Sequence, residues 1–185
     1  MEQFERPLAQ QKLYTGRIFD IEHYSVELEN GHKAQRDVVV HHGGACVVAI
    51  NEEGDLLLER QFRFPVGQVI WELPAGKLEA GEDPMTAAAR ELEEETGYKA
   101  DRLLPLATLL PTPAYSTEII HIFRAEGLRQ TRQHLDEDEH LSVVWLPFER
   151  AVNMVLSGEI TDAKTQVGIL QTVAKWRDRP KKDRG

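Results

Sequence analysis

The sequence predicts a mixed α/β sandwich preceded by a small antiparallel β segment. Three observations carry this: strand-like runs stand on both sides of one well-punctuated helix, further helices come only near the end, and the chain up to His41 reads as strand. Ile21 to Leu28 places Tyr24, Val26 and Leu28 on one face, as a half-buried strand requires. Asn30-Gly31 is a strong hairpin signal, and Arg36 to His41 is the returning strand. The run His41-His42-Gly43-Gly44 breaks the pattern, which divides the chain into an N-terminal β segment over 1–41, a main domain over 42–178 and a polar tail over 179–185. Ala45 to Ile50 and Asp55 to Phe62 form the next strand pair, and Gln68 to Leu73 is a short strand stopped by Pro74 and Gly76. The central helix runs from Pro84 to Thr96: Asp83 supplies the N-cap, Pro84 suits the first helical position and Gly97 the residue past the end. Met85, Ala88, Ala89 and Leu92 recur at helical spacing, so that face is expected on the core. Strands follow at Leu103–Leu110, Glu118–Ala125 and Leu141–Leu146. A helix over Phe148–Ser157 stops at Gly158, and a last helix runs from Thr161 or Asp162 to Trp176.

A length of 185 residues fits one ordinary domain with a small extension, and 41% hydrophobic with 29% charged residues excludes a disordered chain. Lys and Arg number 22 against 31 Asp and Glu, a formal charge of −9. That argues against a nucleic-acid binder or an anionic-membrane binder, both of which need a basic face. It leaves polyanionic substrates open, because bound cations reverse the local sign. The lone Cys46 excludes an intramolecular disulfide and a Cys-rich zinc site. The first residues lack the pattern of a signal peptide, and no apolar run reaches the roughly 18 residues needed to cross a bilayer. A cytoplasmic location is therefore expected.

The informative segment is Gly76 to Tyr98. Its helix ends in Glu91, Glu93, Glu94 and Glu95 just before Gly97. Like charges repel at this spacing, and carboxylates in a last turn oppose the helix dipole. Glu91, Glu94 and Glu95 share one stripe that abuts the core-facing one, which turns it toward the domain. Carboxylates held together in that way need a cation, and oxygen-only ligands suit Mg²⁺ or, as a substitute, Mn²⁺. Arg90 is the one base in the cluster, placed to tie Glu82 or Glu94 into position.

Gly76, Glu82, Arg90, Glu91, Leu92, Glu94, Glu95 and Gly97 match the Nudix box, Gx₅Ex₇REUxEExGU, with Tyr98 a mild departure at the final aliphatic position. At average residue usage such agreement arises by chance about once in 10⁹ windows or more rarely. The chain thus resembles Nudix hydrolases. The resemblance implies a Nudix α/β/α fold and Mg²⁺-assisted attack of water on a pyrophosphate. Arg60–Gly76, Arg36–Ala45 and Gly158–Leu170 are similar to the corresponding stretches of ADP-ribose and nucleoside-diphosphate-sugar pyrophosphatases, and Pro113 falls near that subfamily's marker proline. Ala114, where glycine is common, departs from the pattern and bears on the substrate.

Carried over by resemblance, Glu91 and Glu95 are the principal metal ligands, with Glu94 and the Ala75 carbonyl as further ones. Gly76, Glu82, Leu92 and Gly97 shape the box, and catalytic roles fall to Glu139, Glu95 and Arg90. The general base is placed at Glu139, with Glu137 second, in the acidic loop before Leu141. Arg63, Arg36 and His41 stand where the subfamily contacts substrate. Tyr24, Phe62, Trp71 and Tyr115 are able to stack on a base, although strand aromatics more often belong to the core; Tyr115 completes the substrate-binding candidates. The implied activity is hydrolysis of ADP-ribose or a related nucleotide sugar, with a GDP-sugar or broad specificity as the alternative. A silent nucleotide-sensing Nudix module would be expected to have lost box glutamates, and this chain keeps them all. The resemblance also implies a homodimer with exchanged N-terminal strands, and the apolar Val26, Leu28, Val38 and Val40 of the hairpin need a surface to cover.

Overall fold

A computed structural model describes residues 3–135 and 139–177. The polar tail over 179–185 and the candidate Glu137 lie outside the described residues. The chain forms two compact units.

The N-terminal unit comprises Met1–Gly43 and Leu110–Ile119. In place of the two-stranded hairpin read from the sequence, it holds a three-stranded antiparallel sheet of β1 (Glu5–Thr15), β2 (Phe19–Leu28) and β3 (Lys33–His41), in that order. Every residue of β1 is exposed, which is why no alternation marks it in the sequence. On β2, Val26 is buried as expected, and Glu22 is buried with it, accepting a hydrogen bond of 2.8 Å from Gln10 Nε2. The 110–119 segment lies beside β3: Val39 N donates to Tyr115 O at 2.7 Å and Thr117 N to Val39 O at 3.0 Å.

The second unit comprises Gly44–Leu109 and Ile120–Gly185. Its mixed sheet runs β7-β4-β9-β8, from β4 (Gly44–Val48), β7 (Ala75–Lys77), β8 (Tyr98–Leu109) and β9 (Ile120–Gln130), with β4 parallel to β9. An antiparallel sheet runs β10-β5-β6, from β5 (Asp55–Arg63), β6 (Gln68–Glu72) and β10 (Leu141–Pro147). The helices are α1 (Pro84–Thr96), α2 (Phe148–Leu156) and α3 (Ala163–Arg177).

Strand alternation makes this unit a sandwich. On β4, Ala45 and Val47 pack with Ala87, Ala88 and Leu92 of α1, whereas Cys46 and Val48 pack with Met154 of α2 and Ile169 of α3. On β5, Leu57 joins the α1 side, and Leu56 and Leu58 join the other. Strands buried on both faces read as continuous apolar runs, as ACVV and LLL do here. The short β7 is an addition to the sequence reading: Pro74 and Gly76 look like a stop, yet Gly76 pairs with Ala45. No described helix is long and apolar enough to cross a membrane.

Candidate active site

Helix α1 starts as its sequence dictates. Asp83 Oδ2 accepts from the amides of Met85 and Thr86 at 3.1 and 3.0 Å, and Pro84 opens the first turn. It ends at Gly97, whose φ of 72° is left-handed and whose amide donates to Glu93 O at 2.8 Å. The buried stripe differs from the one expected. Met85 and Ala89 are exposed, and the face turned to the core carries Ala87, Ala88, Glu91, Leu92, Glu95 and Thr96. Two box glutamates therefore lie on the buried stripe itself, 9% and 4% exposed, instead of beside it.

Gly76 receives one of them. A Cβ on Gly76 would fall 1.9 Å from Glu91 Oε1, so only glycine admits that carboxylate against β7. The neighbouring Ala75 amide donates to Glu95 Oε2 at 2.7 Å. The Ala75 backbone and the carboxylates of Glu91 and Glu95 are thus gathered at one edge of the sheet.

Arg90 organises the rest. Its Nε and Nη2 donate to Glu82 at 3.1 Å each, and its Nη1 donates to Glu91 Oε1 at 2.8 Å and Glu94 Oε2 at 3.0 Å. The Glu79 amide also donates to Glu82, at 2.9 Å. The Arg90 hydrogen bonds and then the Glu79 amide hold the Glu82 carboxyl below its ordinary pKa. Arg90 is accordingly a positioning residue, the hub joining the box loop to three helix and loop carboxylates. Glu93 points elsewhere, paired with Lys99 at 3.0 Å.

The segment after β9 caps the acidic helix. His134 N donates to Glu94 O at 2.8 Å, Thr131 N to Gly97 O at 2.7 Å, and Gln133 Nε2 to Glu95 O. The chain then returns through Glu139, half-buried just ahead of β10. Its charge raises the pKa of Glu59, Glu91 and Glu95, which places it in the same electrostatic neighbourhood.

Two further layers were missed by sequence reasoning. Glu59 on β5 is 2% exposed, and among the described residues its Oε1 has no hydrogen-bond partner. Glu72, directly across from it on β6, is held by Arg63, whose Nε and Nη2 donate at 2.6 and 3.1 Å, and by Lys164. Burial disfavours ionised Glu72, but the Arg63 hydrogen bonds and the Lys164 charge outweigh it and keep its pKa low. Lys164 also pairs with Asp162 at 3.1 Å, and Thr165 Oγ1 donates to Asp162 at 2.6 Å while accepting from Leu73 N at 2.8 Å. This network fixes β6 and the Pro74–Ala75 turn to the start of α3. The only trace of it in the sequence is charge inside otherwise apolar strand runs.

Arg63 is thus engaged with Glu72, while its Nη1 makes neither of these two bonds. Arg36, His41 and Tyr115 belong to the N-terminal unit. There Arg36 grips Glu5 through Nε and Nη2 at 3.0 and 2.6 Å, His41 Nδ1 accepts from Gly43 N at 2.9 Å, and Tyr115 is exposed.

Burial first raises the pKa values of Glu59, Glu91 and Glu95; the charge of Glu72 adds to it at Glu59, and the charges of Glu59 and Glu91 add to it at Glu95. Such a set is relieved by a cation. Among the described residues no three His, Cys, Asp or Glu side chains already stand in ligating geometry, and Arg90 bridges Glu91 and Glu94. The donor chemistry nevertheless fits a hard divalent ion: oxygen only, inward-facing, with an orphaned buried acceptor at Glu59 Oε1.

The sequence profile of the NUDIX domain matches residues 40–166, which contain all of these groups. The chain belongs to the Nudix family. This Nudix hydrolase is 41% identical to an ADP-ribose pyrophosphatase of Bacillus subtilis (strain 168), over 89% of this chain and 90% of that protein. It is 36% identical to a methanol dehydrogenase activator of Bacillus methanolicus, again over 89% and 90%. The Nudix fold is shared with a crystal structure of an ADP compounds hydrolase: TM-score 0.79, 22% identity, covering 95% of this chain and 97% of that one.

Proposed function

We propose that this Nudix hydrolase cleaves the pyrophosphate of ADP-ribose or a related nucleoside diphosphate sugar, with Mg²⁺ as its metal, giving a nucleoside monophosphate and a sugar phosphate. One observation carries the reaction class: Glu91 and Glu95 are turned inward against Gly76 and Ala75, within the electrostatic reach of Glu139. The substrate class is supported by the 41% identity to an ADP-ribose pyrophosphatase over nearly the whole of both chains.

In this reading Glu91, Glu95, Glu94 and the Ala75 carbonyl would hold the divalent ions, whose charge, once bound there, would neutralise the diphosphate and acidify the attacking water. Arg90 keeps Glu82, Glu91 and Glu94 in place. Glu139 accepts the proton of the water as its oxygen bonds to one phosphorus; the bond from that phosphorus to the bridging oxygen breaks, and the second phosphate leaves. The reaction needs only water and acid–base groups, so no redox partner enters. A cytoplasmic workplace accords with the single, buried Cys46. Chromatography of the products from ADP-ribose and a panel of nucleotide sugars with Mg²⁺ tests the substrate. The expected result is AMP plus ribose phosphate from ADP-ribose at the highest kcat/KM, and intact ADP-ribose after prolonged incubation removes the reading.

We also propose a homodimer. Leu8, Leu13 and Tyr14 of β1, exposed with Phe4, Ile18 and Phe19 next to it, give the N-terminal unit apolar surface, and among the described residues the outer edge of β1 is unpaired. Light scattering at micromolar concentration is expected to give twice the chain mass. A monomeric mass with full activity would rule the dimer out.

A further inference from the structure

Glu59 has no part in the box, yet it stands in an unusual place for a carboxyl group. It follows the buried Leu56, Leu57 and Leu58 on the central strand of its sheet, and it shares the face of Leu57, which packs against α1. Its cross-strand neighbour on β10 is Val143, which packs on the same side. An aliphatic residue would complete this surface. Glu59 is nonetheless only 2% exposed, and among the described residues no donor reaches its Oε1.

The basic side chains nearby are already committed. Arg63 and Lys164 both hold Glu72, and Lys164 also holds Asp162. The other charges that act on Glu59 are acidic, those of Glu72 and Glu139, and Glu59 acts in turn on Glu95. An unpartnered, buried oxygen among carboxylates, with Arg63 and Lys164 both engaged elsewhere, calls for a cation from solution.

We infer that Glu59 is a further carboxylate of the divalent-cation site, holding the ion together with Glu91 and Glu95 from the opposite side, on β5. This rests on the metal-site reading above. The chemistry is that of a hard ion with oxygen ligands, Mg²⁺ or Mn²⁺.

The test is Mn²⁺ binding to the metal-free, full-length protein without substrate, followed by electron paramagnetic resonance and calorimetry. Glu59→Gln keeps the shape and Glu59→Leu suits the apolar strand, so at least one variant is expected to fold as the parent does. Both are expected to bind Mn²⁺ about 10-fold more weakly or worse, and to gain less in Tm from saturating Mn²⁺. Parental Mn²⁺ affinity in both Glu59 variants, with binding lost in Glu91→Gln and Glu95→Gln, overturns this inference alone. Parental affinity in the Glu91 and Glu95 variants as well overturns the metal-site reading and this inference with it.

Discussion

Glu139→Gln is expected to lower kcat by about 10²-fold or more while KM changes little. Glutamine keeps the size and the hydrogen-bonding reach of the side chain but cannot take a proton from water, so binding survives and the transition state suffers. The position suits the role. Upstream, residues 131–134 are tied to the end of α1 through Glu94 O and Gly97 O; downstream, Leu141 pairs with Gln61 on β5. Both ends of the loop are thereby anchored beside the box carboxylates, and the Glu139 charge acts on three of the buried ones, Glu59, Glu91 and Glu95. Glu137→Gln is expected to change kcat far less. Steady-state kinetics on the two variants decides between them: reversed effects move the base to Glu137, and two unimpaired variants return it to the box.

The sequence exposed the chemistry more fully than the packing. The box spacing singles out Glu91, Glu95 and Arg90, and the carboxylates gathered in one stripe against the helix dipole set this run apart from a solvated acidic face. The same helix was misread by phase: Met85 and Ala89 are apolar and at the right spacing, but they are exposed, and the core face holds glutamates. Hydropathy alone cannot detect a buried face that is partly ionisable. The all-exposed β1 carries no alternation, and the three-residue β7 is hidden between Pro74 and Gly76. Strands buried on both faces were legible from ACVV and LLL. Glu59, Glu72 and Lys164 were not: each is a single charge in its stretch of sequence, and Lys164 reaches Glu72 across 92 residues.

Glu95→Gln and Glu91→Gln are each expected to lower turnover by about 10³-fold, since losing a ligand forfeits several kcal/mol of charge stabilisation in the transition state. Saturating EDTA is expected to abolish turnover. The fold should respond in the opposite direction. Glu95 is 4% exposed, and burial, then the charges of Glu59 and Glu91, raises its pKa above the ordinary value of 4.5. Above 4.5 and below that raised pKa the unfolded chain has released a proton that the folded chain retains, so stability falls as pH rises. Glutamine does not titrate and still accepts from the Ala75 amide, which now donates to Glu95 Oε2 at 2.7 Å. In EDTA at about pH 8, Glu95→Gln should therefore melt higher than the parent, by about 3 °C or more, and the difference should shrink toward about pH 5. Adding Mg²⁺ at about pH 8 should reverse the order, because the parent gains the ion and the variant does not. Differential scanning calorimetry across that pH range, with EDTA and with Mg²⁺, reads all of these shifts. A variant that melts below the parent in EDTA at every pH would show that Glu95 stabilises the metal-free fold, and undiminished turnover of the variant would remove Glu95 from the metal site.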